Sequence, residues 1–123
     1  MKTKCLHFLI LIAGILASAC QRQKSDYAHD LDLSVHVLDP AHLVTLGMTD
    51  FEIHDEGYSN LELIPGITPL LSTLHPECNE IIAWTNQYSN SKIVYLIFGH
   101  DNKAYEDEDF GRLITNALVW LKK

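Results

Sequence analysis

Cysteine is scarce in this chain, and positive charge is in the minority. Three cysteines occur, at positions 5, 20 and 78, in 123 residues. Two of them fall in or beside an N-terminal leader, so Cys78 stands alone and has no partner for an intramolecular disulfide. It reads as a small half-buried residue following His75-Pro76. Lysine and arginine number 9 against 16 aspartates and glutamates, a formal charge of −7 with a pI near 5.3. That balance argues against nucleic acid or an anionic membrane surface as the binding target. There is no glycine-rich phosphate loop, no basic cluster and no internal repeat. The longest apolar run near the start, Leu6 to Leu16, is too short for a spanning helix, which needs about 20 residues.

What is present is the composition of one small globular domain, 47% hydrophobic and 20% charged. The first residues read as a leader outside the fold. Lys2 and Lys4 form a basic start, Leu6 to Leu16 an apolar core, and Ala17-Ser18-Ala19 a small-residue cleavage site. Leu16-Ala17-Ser18-Ala19-Cys20 resembles a bacterial lipobox, with an ordinary secretory signal cut at the same bond as the alternative. The lipobox reading gives a signal peptide at 1–19, a lipidated Cys20 and a tether over residues 20–31. Gln21 after that cysteine implies the outer membrane, facing the periplasm. Membrane contact is then through the lipid alone.

The domain proper is expected over residues 32–123. Leu33, Val35 and Val37 alternate with Ser34 and His36, the pattern of a half-exposed strand. Phe51 and Ile53 suggest another short strand, and the polar run from His54 to Tyr58 reads as a solvated loop. Leu70, Leu71 and Leu74 suggest a third, with Pro69 at its start or on an edge. Ile81 to Thr85 and Ile93 to Phe98 read as strands with the five polar residues Gln87 to Ser91 as their connection, which predicts an antiparallel hairpin. Six apolar residues in succession from Ile93 suggest a strand covered on both faces. A helix follows, with Asp107 as N-cap and Phe110, Leu113, Ile114, Ala117, Leu118 and Leu121 as its apolar stripe.

His100 sits at the carboxyl end of the Ile93–Phe98 run, where open α/β sheets place their ligands. A histidine there either hydrogen-bonds its own turn or belongs to a site, and position alone does not decide.

The segment Ala83 to Leu121 resembles the C-terminal end of the trehalose-utilisation (ThuA-like) domain family. That family shows a tryptophan strand, a strand ending in Gly-His, and a helix closing on tryptophan. Trp84, Gly99, His100, Tyr105, Phe110 and Trp120 fall in those places. Asp39-Pro40-Ala41-His42 with Thr45 and Gly47, and Phe51 with Asp55-Glu56-Gly57-Tyr58, resemble two further family segments. Leu43, Gly57 and Ser89-Asn90-Ser91 depart from the usual residues. The resemblance spans residues 32–121 and corresponds to the C-terminal half of a domain about twice this size.

The resemblance implies a mixed α/β fold, with part of a flavodoxin-like or class I glutamine amidotransferase-like sheet, mixed strands and one C-terminal helix. It implies a role in handling trehalose or keto-disaccharides. His100, Glu56 and His42 would then be catalytic, and Tyr58, Asp55 and Asp101 would bind substrate. A carboxylate beside imidazoles serves general acid–base chemistry on a sugar. The same set suits a divalent metal, although its spacing forms no compact metal motif, so no cofactor is assigned. The absent half leaves a second reading, a non-catalytic lipoprotein that binds a sugar or partner through an unpaired sheet edge. It implies a homo-oligomer or a partner chain.

Overall fold

The computed structural model describes residues 24–123. The expected leader, its cleavage site and Cys20 lie outside the described residues. Five strands and two helices follow in order: β1 (Asp26–Val37), β2 (Phe51–Ser59), β3 (Thr68–Ser72), β4 (Ile81–Tyr88), β5 (Ser91–Leu96), α1 (Asn102–Glu106) and α2 (Glu108–Leu121). The strands form one curled sheet in the order β2-β1-β3-β4-β5. No helix among the described residues is long and apolar enough to cross a membrane.

Each pairing in that sheet is antiparallel. The mixed strand directions expected from the family are therefore not found among these residues. Parallel neighbours need a crossover of a dozen or more residues, usually helical, and no helix lies between any two of these strands. β4 and β5 are the predicted hairpin, paired from Ala83↔Leu96 to Tyr88↔Ser91. Ser89 takes the left-handed conformation at its tip, φ 54°.

The expectation that the Ile93 run is covered on both faces is overturned. β5 ends the strand order and has one described neighbour. Ile93 is 42% and Tyr95 37% exposed. One face of the strand is partly covered, Val94 and Leu96 packing against the core, and beyond it Ile97 and Phe98 are buried. β3, with Pro69 near its start, is instead the middle strand, and its Leu70 and Leu71 are fully buried.

Two more segments are strand where loop or tether was expected. β1 reaches back to Asp26, and β2 runs through the polar His54–Tyr58 stretch to Ser59. Backbone N–H and C=O groups pair in a ladder whatever side chains flank them, once a neighbour supplies the partner groups. Tyr27 pairs with Tyr58 and Ala28 with Gly57. Gly57 is needed there: a Cβ would stand 2.6 Å from Cys78 Sγ and 2.5 Å from Leu31 Cδ1.

The core gathers buried residues of the curled sheet and the C-terminal helices into one cluster. Leu33 and Val35 of β1, Phe51 and Ile53 of β2, Leu70 and Leu71 of β3, and Ile82 of β4 meet Phe110, Leu113 and Ala117 of α2. Asp107 caps α2 as predicted, its carboxylate accepting the Phe110 N–H at 2.9 Å. Glu108 and Asp109 in the first turn suit the positive end of the helix. The buried stripe is narrower than the spacing implied, since Leu118 and Leu121 are exposed. Arg112 and Asn116 also tie α2 to the loop after β1, donating to Gly47 O at 2.9 Å and Leu46 O at 3.1 Å.

Candidate functional site

The site begins with an irregularity in β1. Up to Ala28↔Gly57 the pairing with β2 is in one register, and from Leu31↔Asp55 it is offset by one residue. Two residues of β1, His29 and Asp30, thus stand against a single residue of β2, Glu56. This is a β-bulge, which bends a strand and re-aims its side chains. Asp30 adopts φ 55° to make it. The result is that His29 Nδ1 forms an ion pair with Glu56 Oε1.

A second imidazole arrives from the far end of the sheet. After Phe98 the chain turns at Gly99, whose φ of 106° lies in the region that favours glycine. Tyr105 and Phe110 pack within 3.4 Å of where a Cβ would be. The turn is fastened to β2 by Asp55, which is buried. Its two oxygens accept the Gly99 N–H at 2.7 Å and the His100 N–H at 3.1 Å. Adjacent strand residues point to opposite faces, so Asp55 holds the His100 backbone while Glu56 takes its ring, Nδ1 to Oε2 at 3.0 Å.

Tyr58, two residues along the same face, donates its hydroxyl to Glu56 Oε2 at 2.5 Å. That bond to a carboxylate, with burial adding to it, pushes the phenol up to about 12. Glu56 is thereby 4% exposed and surrounded by donors, while the side chains of His29 and His100 stay about half exposed. Tyr27, His29, Glu56, Tyr58 and His100 line an open cleft of about 340 Å³. That falls within the about 300–1,000 Å³ span of small-molecule pockets. A smaller hollow of about 130 Å³, shared by Asp30, His54 and Asp101, adjoins His29, Glu56 and His100.

Of the residues expected to act together, His100, Glu56 and Tyr58 converge. Asp55 touches the site through backbone N–H groups, so its part is positional. Asp101 caps α1, accepting the Lys103 and Ala104 N–H groups at 2.9 and 3.3 Å, and borders the smaller hollow. His42 does not join them. Asp39 and Thr45 fold its segment into a tight turn, with the Thr45 hydroxyl bonded to the Asp39 carbonyl. The His42 ring accepts the Val44 N–H at 3.1 Å and packs 5.5 Å from the Trp120 ring, lining a different cavity. His29 was missed because its polar surroundings read as tether. The signal was the alternation itself, which runs backward from Val37 to Leu31 and then slips by one residue at the bulge.

A family model described as trehalose utilisation (ThuA) matches residues 12–121. The chain belongs to the ThuA family. No curated protein matches it, and no solved structure does. Membership suggests a role in trehalose utilisation, and the residues of the two family-like segments now have distinct places. Glu56 and Tyr58 of this ThuA domain line the cleft and Asp55 fastens the turn beside it, whereas Asp39, His42 and Thr45 shape a turn elsewhere.

Among the described residues, His29, Glu56 and His100 are the group whose donor atoms lie close enough to share a metal ion. Without one, the arrangement is a buried carboxylate shared by two accessible imidazoles, a layout able to pass a proton to or from a bound hydroxyl or carbonyl.

Proposed function

We propose that this ThuA domain binds a trehalose-like or keto-disaccharide in the cleft beside Glu56 and moves a proton on it. The observation that carries the reading is the Glu56 carboxylate, buried yet bridging two half-exposed imidazoles at a cleft wall. Tyr27 and Tyr58 supply aromatic faces with polar tips, which suit a sugar ring with one apolar face and a polar edge. His100 exchanges the proton with the sugar, and Glu56 orients the ring and balances its charge. Such positioned proton transfer contributes about 10²–10⁴ in rate. Calorimetry of the full chain with trehalose and keto-disaccharides tests it. Saturable heat, lost in His100→Ala, is expected; absence of both heat and turnover overturns the reading.

We propose in addition that the protein is held at the bacterial envelope by an acylated Cys20, which the residues before that cysteine support. Labelling with a radioactive fatty acid should mark the wild type and not Cys20→Ser. Label on neither leaves the anchor without basis.

A second, non-catalytic reading has its own support in β5. That strand ends the sheet, presents Ile93 and Tyr95 to solvent, and has no described partner on its outer side. Exposed edges of this kind pair with other strands. In this reading two copies join edge to edge, and light scattering that finds only monomer at high concentration rejects it.

A further inference from the structure

His29, Glu56 and His100 come from three separate segments: a bulge in β1, the facing residue of β2, and the turn beyond β5. One ring nitrogen from each histidine and one carboxylate oxygen all lie within 4.8 Å of one another. Zinc holds imidazole nitrogen and carboxylate oxygen at about 2.0–2.2 Å, so small rotations of two half-exposed rings would enclose such an ion. Two histidines and a glutamate form a donor set that zinc uses in catalytic sites, where a fourth position stays open. Here that position would face the cleft, because both rings line it.

The outer contacts fit as well. Metal ligands are commonly held in place by hydrogen bonds from residues behind them. Tyr58 holds one oxygen of Glu56, and Asp55 fixes the backbone that carries His100. Asp30 and Asp101 border the adjoining hollow and add negative charge beside the three donors. The bulge is the further point: a non-glycine residue at positive φ is uncommon, and Asp30 accepts that conformation where His29 is turned onto Glu56.

We infer that His29, Glu56 and His100 form a binding site for a divalent cation, with zinc the best-matched occupant and an open position for a ligand oxygen. The inference deepens the sugar reading, since it concerns the same site, but zinc binding is measured with no sugar present. When bound, the ion supplies the polarising charge that protons shared by these groups otherwise supply.

The test is titration of the chelator-treated full chain with zinc alone, followed by calorimetry, and with cobalt as a visible-absorption probe. One equivalent of zinc is expected, with an intensified cobalt spectrum typical of low coordination number. His29→Ala and His100→Ala should each weaken zinc at least about 100-fold, while His42→Ala binds as wild type. These exposed residues carry the test because a change at buried Glu56 risks the fold, and far-UV circular dichroism confirms that each variant is folded. No stoichiometric zinc, or unchanged affinity in both variants, overturns the inference. Stoichiometric zinc with no disaccharide heat supports the metal site and overturns the sugar reading. Disaccharide turnover by a chain that takes up no zinc does the reverse.

Discussion

Asp55 accepts the backbone N–H of His100 at 3.1 Å, while the residue beside it, Glu56, accepts the same histidine's ring at 3.0 Å. Neighbouring acids on one strand therefore hold a single residue by both ends. The arrangement is available because the turn after β5 meets β2, and because a strand sends adjacent side chains to opposite faces. It joins the two ends of the strand order and sets the site with the same contact.

Removing the Asp55 carboxylate should loosen both the fold and the site. Asp55→Ala leaves the Gly99 and His100 N–H groups without their acceptor, and an unmet polar group costs about 1–3 kcal/mol. Urea unfolding should show a loss of about 2–6 kcal/mol on that basis, with Asp55→Asn losing less because one oxygen remains.

Deleting Asp30 removes the extra residue of the bulge. The pairing before and after it then falls into one register, and His29 comes to stand directly opposite Glu56 in a regular ladder. The variant should fold, with little change in its circular dichroism, and keep the disaccharide heat that His100→Ala loses. A deletion variant that folds but gives no heat would mean the bulge itself shapes the cleft.

Gly57→Ala should destabilise the domain by about 1–3 kcal/mol, the usual cost of forcing a group into filled space. The crowding atoms are Cys78 Sγ and Leu31 Cδ1. Pairing it with Cys78→Ala should restore part of the loss, which thermal melts of the single and double variants would reveal. Burial also pushes the Cys78 thiol up, so it should react slowly with thiol reagents until the domain unfolds.

His54 gives a pH signature outside the group of His29, Glu56 and His100. Its Nδ1 pairs with Asp32 at 2.7 Å, and that bond raises its pKa above the usual 6.5, opposed by desolvation and by Lys103. A raised folded-state value means the charged pair stabilises fully below about pH 6.5, and that support fades as pH climbs through the raised value. Proton NMR should place the His54 titration above 6.5, and Asp32→Asn should bring it back down.

Tyr58 should ionise late, near its value of about 12, when followed by phenolate absorbance. Its bond to Glu56 stabilises the fold fully below the ordinary phenol value of 10.0 and is lost as pH rises through about 12. Glu56→Gln should bring the transition back toward 10.

The residues alone determined the local features. Alternation marked Leu33 to Val37, the polar pentad marked the hairpin, and Asp107 with the Phe110, Leu113 and Ala117 spacing marked α2. These depend on neighbours within a few positions, which a linear reading contains. The family segments likewise singled out Glu56, Tyr58 and His100 before any distance was known.

Tertiary structure decided which residues meet. Whether the Ile93 run is central or at an edge depends on where the other strands lie, and hydrophobic content cannot report that. His29 joined the site because a one-residue slip opposite Glu56 redirected it, and a slip is a property of two strands together. His42 left the expected group because the turn from Asp39 to Thr45 carried it to Trp120 instead. Spacing along a chain bounds what can touch, but pairing register and strand order select which contacts form.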